Sequence, residues 1–473
     1  MTSPRKFLVG GEWRRSDEVL DVRFPFTGET VGRACLAGSA DIEDALRSAE
    51  RGFEVTRLLP AHRRSAILCA LAGQIRDRSA ELAETIVLEA GKTRRLAEGE
   101  VLRAAQTIEV SAEEARRIDG TILPLDWNEA GEGRVGCLRR FPLGPVLAIT
   151  PFNFPLNIVC HKLGPAIAAG NSIVIRPASA TPFSALMLGE MAIEAGLPPE
   201  AISVVPCRSE LAERMVQDDR IACLSFTGSP AVGWHLREIA GRKRVGLELG
   251  GNAAVIVHSD ADLPFAANRI VSGGFSNAGQ ACISVQRVYL HRPIFDTALG
   301  LLVDRVRALA VGDPRDPRTD VGPMISDEAA RAAFAKVQDA VGKGAEVAAG
   351  GTRDGPLFHP TILFNTTPEM EVNRTEIFAP VVTVTPYKTF EEALALANDS
   401  EYGLQAGLFT HDTRRISQAF AELRVGGLVV NDVSTFRMDH APYGGVRGSG
   451  IGREGPKYAI EEMTEERMMV FLP

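Results

Sequence analysis

Short apolar runs alternate with helix-length stretches from residue 144 onward, and this alternation restricts the possible folds more than any other feature. The apolar runs occupy residues 145–150, 172–175, 202–205, 221–226 and 245–247. Strands that are connected by helices in this way form a parallel sheet with helices on both faces. The sequence therefore predicts an α/β domain built on a doubly wound sheet.

A second alternation of the same kind has apolar runs at residues 255–258, 285–290, 381–385 and 428–431. It predicts a second doubly wound α/β domain. Weakly alternating residues near 120–143 and 462–471 predict outlying strands, whose exposed edges favour an oligomer. The predicted units are a first domain over 1–119 and 142–249, a second over 250–431, and a β-strand arm over 120–141 and 455–473.

The overall composition excludes several classes of protein. The 473 residues are 45% hydrophobic and 24% charged, which is typical of a globular chain with two or three domains. A net charge of −8 argues against a nucleic-acid surface, and no apolar run approaches the roughly 18 residues that span a bilayer. Without a secretory leader pattern, we expect a cytoplasmic protein. The seven cysteines lack CxxC spacing, which predicts neither a disulfide framework nor a metal site.

One cysteine and one glutamate stand in settings typical of catalytic groups. Cys282 ends the small-residue turn GQAC (279–282), and Glu248 lies in LELGG (247–251), where an apolar run meets paired glycines. A thiol and a carboxylate held at glycine turns suggest a nucleophile and a general base. Taken alone, Cys282 is also compatible with a buried structural cysteine, and Glu248 with a surface carboxylate.

Three predicted strands end in polar residues, and open α/β sheets bind ligands beyond the carboxyl ends of their strands. Asn153 lies between two aromatic residues and two prolines, which suits an oxyanion donor or a simple turn. Ser229 follows Thr227-Gly228 and opens a helix, so it either meets a pyrophosphate or is an ordinary cap. Arg176 ends another predicted strand. It is either a partner of a ribose or phosphate or a solvent-facing side chain.

Six motifs, taken in order, give the chain a close resemblance to the aldehyde dehydrogenase superfamily from about Lys6 to Leu472. They are PFNFP (151–155), FTGS (226–229), LELGG (247–251), GQAC (279–282), EIFAP (376–380) and PYGGVRGSGIGRE (442–454). The resemblance implies a dinucleotide-binding domain, a catalytic domain and an oligomerisation arm. It also implies a homodimer or homotetramer.

The same resemblance implies a reaction through a covalent intermediate. Cys282 would attack an aldehyde, the Asn153 amide and the Cys282 backbone N–H would hold the oxyanion, and Glu248 would activate the water that hydrolyses the thioester. The nicotinamide cofactor would accept the hydride. Cofactor contacts are implied for Thr150, Phe152, Arg176, Ser179, Gly228, Ser229, Glu376 and Phe378.

Two departures from the family pattern bear on the choice of cofactor. Position 176 holds Arg where the family usually has Lys, and position 179 holds Ser where many NAD-preferring members have a Glu that repels a 2′-phosphate. Arg176 with Ser179 removes that repulsion and offers a planar phosphate partner. We therefore expect the cofactor to be NAD or NADP. Arg176 and Ser179 should allow NADP to bind and are compatible with a preference for it.

Within the superfamily, residues 154–157, His161-Lys162, 282–285 and 431–437 make the chain most similar to the lactaldehyde and glycolaldehyde dehydrogenase branch. This similarity implies a short polar aldehyde as substrate. Alternatives are succinate semialdehyde, phosphonoacetaldehyde, or glyceraldehyde 3-phosphate oxidised without phosphorylation. Arg103 matches a residue that anchors the substrate anion in some relatives, and is otherwise a solvated or structural cation. A coenzyme A-acylating relative or a non-catalytic relative is a further alternative, against which the presence of Glu248, Cys282 and Asn153 argues.

Overall fold

The computed structural model describes residues 3–473, and two sheets organise most of them. The strands of the N-terminal half are Phe7–Val9 (β1), Glu12–Arg14 (β2), Val19–Arg23 (β3), Thr30–Cys35 (β4), Gly120–Pro124 (β5), Val135–Pro142 (β6), Val146–Ile149 (β7), Ile173–Arg176 (β8), Ile202–Val204 (β9), Cys223–Thr227 (β10) and Arg244–Glu248 (β11). The helices of this half are Ser39–Thr56 (α1), Ala61–Asp77 (α2), Ser79–Ala90 (α3), Arg94–Glu114 (α4), Asn157–Ala169 (α5), Phe183–Glu194 (α6), Ser209–Gln217 (α7) and Pro230–Ile239 (α8).

The C-terminal half continues the alternation. Its strands are Ala253–Val257 (β12), Val285–His291 (β13), Glu346–Ala349 (β14), Arg353–Asp354 (β15), Leu357–Phe358 (β16), Thr361–Phe364 (β17), Val381–Tyr387 (β18), Gln405–Phe409 (β19), Gly427–Val430 (β20), Gly450–Ile451 (β21) and Thr464–Phe471 (β22). Its helices are Leu263–Phe275 (α9), Phe295–Arg307 (α10), Asp327–Gly342 (α11), Glu371–Arg374 (α12), Phe390–Asn398 (α13), Thr413–Glu422 (α14) and Pro456–Glu462 (α15).

The first sheet has eight strands in the order β2-β1-β9-β8-β7-β10-β11-β21. Its five central strands pair in parallel, and β7 and β8 are almost wholly buried because helices cover both faces. From β7 the chain passes first to β8 and β9 on one side and then to β10 and β11 on the other. The order therefore reverses between β7 and β10, which creates a crevice at their carboxyl ends.

The second sheet has seven strands in the order β14-β17-β18-β13-β12-β19-β20, parallel except for β14. Because β12 follows β11 after a short glycine turn, the amino ends of this sheet adjoin the carboxyl ends of the first. The prediction of two doubly wound domains is confirmed. The predicted apolar runs did not include the parallel strands β17 and β19 or the edge strands β1, β2, β14 and β21, which pair antiparallel.

A separate three-stranded sheet in the order β22-β6-β5 projects an exposed apolar surface. Ile122 and Trp127 are 76% and 88% exposed, and the Met468–Leu472 side chains of β22 and its end are also exposed. The predicted arm range 455–473 also includes α15, whose Ile460 packs in the core of the first sheet. In residues 3–473 no helix combines the length and the apolar character needed to cross a membrane.

Candidate active site

The predicted site residues converge on one cavity of about 630 Å³ between the two sheets. It is entered by groups from the carboxyl ends of β7, β10 and β11 and from the segments preceding β13 and β18. Its lining includes nine residues singled out from the sequence: Arg103, Phe152, Asn153, Gly228, Ser229, Glu248, Cys282, Glu376 and Phe378. The other three, Thr150, Arg176 and Ser179, lie outside this lining.

The turn before Cys282 holds three successive residues in the left-handed backbone region. Asn277, Ala278 and Gly279 have φ values of 52°, 53° and 69°. This region costs roughly 1–2 kcal/mol for a residue with a Cβ, and at position 279 a Cβ would also collide with the carbonyl oxygen of Ala379. The Gln280 side chain braces the turn, donating to the Asn277 carbonyl (3.2 Å) and accepting from the Ile325 N–H (2.9 Å).

Cys282, alone among the seven cysteines of the chain, lines the cavity. Its Sγ lies 2.9 Å from the hydroxyl of Tyr443. Burial raises the pKa of this thiol from 9.0 to about 12, and the hydrogen bond with Tyr443 opposes that rise. The backbone N–H of Cys282 has no hydrogen-bond acceptor within residues 3–473. A thiol and a free backbone donor therefore face the same cavity.

Asn153 approaches the same turn from the end of β7. Its Nδ2 donates to the carbonyl of Gln280 at 2.9 Å, which fixes the amide with one N–H still available. The Oδ1 of Asn153 is buried without a partner in the described part of the chain. The amide is therefore held by contact with the turn that carries Cys282, in a position to donate a second hydrogen bond.

Glu248 ends β11 and is 5% exposed. Burial and the neighbouring carboxylate of Glu454 raise its pKa well above the ordinary 4.5, against the opposing charges of Arg437, Lys162 and Arg453. Its Oε2 is buried and has no hydrogen-bond partner among residues 3–473. A carboxyl group whose ionised form is disfavoured by burial, and whose oxygen is free to bind water, fits a general base whose activity rises with pH.

A buried charged group lies behind Glu248. The Arg437 guanidinium donates to Glu454 Oε2 at 2.9 Å and stacks 3.7 Å above the ring of Tyr443. On the other side Lys162 Nζ lies 3.4 Å from Glu454 Oε1. Although burial opposes ionisation, Lys162, His161 and Arg437 lower the pKa of Glu454 to about 2.

Arg103 reaches the cavity from α4 and is held by Asp439. Its Nε and Nη2 donate to the two carboxylate oxygens at 2.9 and 2.7 Å, while a third of its side chain stays exposed. His161 Nε2 contacts Asp439 Oδ1 at 2.9 Å and Arg437 Nη2 at 3.2 Å. Burial tends to raise the pKa of Asp439. Hydrogen bonds from His161 and Arg103 outweigh this effect and hold the pKa below its usual range.

The opposite half of the cavity fits a dinucleotide. Ser229 is the N-cap of α8, yet its side chain bonds to none of the helix N–H groups, which leaves donors for a pyrophosphate. Glu376 accepts from the Gly251 N–H at 2.9 Å and packs against the bare backbone of Gly250, where a Cβ would collide with it. Burial raises the pKa of Glu376 to about 7. Phe152 and Phe378 meet edge to face with centroids 6.0 Å apart.

Thr150, Arg176 and Ser179 lie at the carboxyl ends of β7 and β8. The Thr150 N–H donates to the carbonyl of Arg176 at 3.2 Å. Arg176 Nη2 donates to the Cys207 carbonyl at 3.2 Å and lies 3.4 Å from Ser179 Oγ. The Nε of Arg176 is buried without a partner in residues 3–473. An unpaired guanidinium N–H beside an exposed serine fits a phosphate or ribose ligand.

For several residues of the cavity and its surroundings the sequence predicted no role. They are Tyr443, Arg437, Asp439, His161, Lys162, Glu454, Lys92 and Glu100. Lys92 and Glu100 form a buried ion pair of 2.5 Å in the cavity wall, and Glu100 Oε1 accepts from the N–H groups of Leu156 and Asn157. Only Tyr443 had a setting that could have pointed to a role in the site, because it directly precedes the paired glycines of the last motif.

Comparison with known proteins agrees with this arrangement. The aldehyde dehydrogenase family model matches residues 13–469. The chain is 45% identical over 463 residues to the 3-sulfolactaldehyde dehydrogenase of Priestia aryabhattai, covering 98% of this chain and 97% of that protein. It is 38% identical over 475 residues to the lactaldehyde dehydrogenase of Methanocaldococcus jannaschii, covering 98% of this chain and 99% of that protein.

Solved structures give the same result. Aldehyde dehydrogenase 21 from Physcomitrella patens, in complex with the reaction product succinate, superposes with a TM-score of 0.97 at 39% identity, covering 99% of each chain. Glyceraldehyde-3-phosphate dehydrogenase from Methanocaldococcus jannaschii, complexed with NADP, has a TM-score of 0.93 at 36% identity, covering 97% of this chain and 100% of that one. The chain belongs to the aldehyde dehydrogenase family and is an oxidoreductase that uses NAD or NADP.

Proposed function

We propose that the protein oxidises a short 2-hydroxyaldehyde, such as lactaldehyde or glycolaldehyde, to its carboxylic acid through a thioester on Cys282. The observation that carries this proposal is the meeting of Cys282, Asn153 and Glu248 on one cavity from three separate chain segments. The substrate class is supported by the similarity to a lactaldehyde and a 3-sulfolactaldehyde dehydrogenase. Polar groups that line the same cavity, among them Asn157, Arg103 and Arg437, suit a small hydroxylated chain.

The first step is attack of Cys282 Sγ on the aldehyde carbon. The thiol loses its proton to solvent before the attack, and the hydrogen bond with Tyr443 and the charge of Arg437 favour the resulting thiolate. The negative charge that develops on the carbonyl oxygen is stabilised by the second N–H of Asn153 and the free backbone N–H of Cys282. The aldehyde is thereby converted into a thiohemiacetal on Cys282.

The remaining steps are oxidation and hydrolysis. A bound NAD or NADP would supply the hydride acceptor that oxidises the thiohemiacetal on Cys282 to a thioester. Glu248 then removes a proton from a water molecule, which attacks the thioester and releases the acid and the free thiol. Separating oxidation from hydrolysis by a covalent intermediate makes each step easier.

We further propose that the first domain holds the pyrophosphate and adenosine parts of the cofactor, and that the second supplies the thiol and further contacts to the nicotinamide end. Ser229 and the N-terminus of α8 would hold the pyrophosphate, and Glu376 the nicotinamide ribose. Phe152 and Phe378 would flank the nicotinamide ring, and Arg176 with Ser179 would face the adenosine ribose. The exposed apolar side chains of β22 suit pairing of two copies in a homodimer or homotetramer.

A second candidate is a short aldehyde with one anionic group. Arg103 and Arg437 line the cavity, and the family includes the 3-sulfolactaldehyde dehydrogenase at 45% identity. This observation gives anionic hydroxyaldehydes more weight than the sequence alone did. A coenzyme A-acylating or non-catalytic protein is disfavoured, because such a protein has no need of the buried, unpartnered carboxyl of Glu248.

A steady-state screen tests the proposal. About twenty aldehydes, spanning short hydroxyaldehydes, anionic semialdehydes, long aliphatic chains and aromatic rings, are assayed with NAD and with NADP. Short 2-hydroxyaldehydes, neutral or monoanionic, should give the highest kcat/KM, and coenzyme A should not accelerate turnover. A strong preference for long or aromatic aldehydes would contradict the proposal.

A further inference from the structure

The charged side chains around the aldehyde half of the cavity are nearly but not fully balanced. Three cations, Arg103, Arg437 and Lys162, face two carboxylates, Asp439 and Glu454. The pKa of His161 is lowered from 6.5, chiefly by burial, so this residue adds no charge at neutral pH. Burial raises the pKa of Glu248 well above 4.5, which disfavours a negative charge there. The three cations and two carboxylates therefore leave one positive charge in excess.

The other charged groups of the cavity do not alter this surplus. Lys92 and Glu100 cancel in their buried ion pair. Arg95 is largely exposed and pairs with Asp320 at 3.4 Å. Glu376 lies in the half assigned to the cofactor, next to the Gly251 N–H.

The carboxylate of Asp439 determines how much positive charge remains unpaired around the cavity. It is 8% exposed and lies outside the cavity lining, behind the two arginines. It occupies the Nε and Nη2 donors of Arg103, so that among residues 3–473 only Nη1 of this guanidinium has no acceptor. Its Oδ1 also lies 3.8 Å from Arg437 Nε, a buried donor with no hydrogen-bond partner in the described chain. Without this carboxylate the cavity would face two more nearly free cations.

We propose that Asp439 is a specificity-determining residue that restricts the cavity to neutral and monoanionic aldehydes and disfavours dianions such as phosphate esters. The single surplus charge matches one sulfonate or carboxylate. A second negative charge would be opposed by Asp439 and Glu454, which already pair with Arg103 and Arg437, in a poorly solvated site where like charges repel strongly. The inference rests on the proposed function and deepens it, because it separates sulfonated or carboxylated substrates from phosphorylated ones.

The test uses three aldehydes with one carbon skeleton: glyceraldehyde, 3-sulfolactaldehyde and glyceraldehyde 3-phosphate, at pH 8. In the wild type, kcat/KM for the phosphate should be at most a tenth of that for the sulfonate. In Asp439→Asn, the ratio of phosphate to sulfonate kcat/KM should rise at least tenfold. The matched control is Asp432→Asn, since Asp432 on the same loop binds Arg269 through both oxygens at 2.6 and 3.1 Å outside the cavity lining. Its ratio should match the wild type.

A measurement on the wild type guards against misfolding of the variant. Methanesulfonate should inhibit lactaldehyde oxidation competitively at pH 8.5, with an inhibition constant at least tenfold lower than that of methylphosphonate. An unchanged ratio of phosphate to sulfonate kcat/KM in Asp439→Asn would overturn the inference, and so would a wild type that prefers the dianion. Neither result would contradict the proposed aldehyde oxidation. If none of the three aldehydes is oxidised, both the proposed function and this inference are overturned.

Discussion

The sulfur of Cys282 and the phenolic oxygen of Tyr443 lie 2.9 Å apart, although 161 positions separate the two residues in the chain. This hydrogen bond opposes the effect of burial, which raises the thiol pKa to about 12. The ring of Tyr443 is in turn covered by Arg437, which places a positive charge close to the sulfur. Tyr443 therefore favours the thiolate in a site that otherwise disfavours it.

Replacing Tyr443 by Phe should slow reactions of the Cys282 thiolate. The change keeps the ring under Arg437 and removes only the hydroxyl. A hydrogen bond to a charged group contributes about 1.5–3 kcal/mol, so the thiol pKa should rise by about one to two pH units. Alkylation by iodoacetamide at pH 8 should become about tenfold slower or more. Tyr458→Phe, outside the cavity lining, is the control, and equal rates in the two variants would contradict the role given to Tyr443.

Asn153→Ala should slow formation of the covalent intermediate rather than weaken substrate binding. Removing one donor to a developing oxyanion costs roughly 10²–10³-fold in kcat. We expect the first burst of reduced cofactor in stopped flow to slow by that factor, with little change in the dissociation constant of the cofactor. Asn153→Asp, which keeps the shape but brings a negative charge to the oxyanion, should be at least as slow. A normal burst in either variant would remove Asn153 from the mechanism.

Ser179→Glu should shift the cofactor preference toward NAD. A carboxylate beside Arg176 would pair with that guanidinium and repel a 2′-phosphate. We expect kcat/KM with NADP to fall at least tenfold while the value with NAD falls less or rises. Ser179→Gln is the matched control for size. Equal losses with both cofactors would show that the two residues do not contact the 2′ position.

Met469→Arg should weaken the proposed pairing of two copies. Met469 lies on β22 and is 57% exposed among other apolar side chains, so we propose that a second copy covers it. A buried, unpaired arginine would make that contact unfavourable. Light scattering coupled to gel filtration should give the mass of fewer chains than the wild type. Lys457→Glu, on the neighbouring helix α15, is a control for a surface charge change.

The sequence was sufficient for local features and for residues that lie close to glycine turns. The apolar runs at 146–149 and 223–226 correspond to β7 and β10, and the turns that follow them carry Asn153 and Ser229 to the cavity. The alternation predicts parallel pairing of these strands because parallel strands need helical crossovers. The resemblance to the family added the roles expected for Glu376 and Phe378.

The contacts among charged side chains could not be predicted. Arg103 and Asp439 are 336 positions apart, and Asp439 and His161 are 278 apart, so no local pattern joins them. Arg103 alone was compatible with a substrate ligand or a structural cation. In the folded chain it is both paired with a carboxylate and open to the cavity, which neither expectation described.

The central claim is that Cys282 carries the acyl group and that Glu248 activates the water that removes it. Intact-protein and peptide mass spectrometry on Glu248→Gln, mixed with lactaldehyde and NADP, tests it most directly. One equivalent of reduced cofactor should form, and the mass of one lactoyl group should appear on the Cys282 peptide and disappear with hydroxylamine. Acylation of another residue, or continued turnover by Cys282→Ser, would contradict the account.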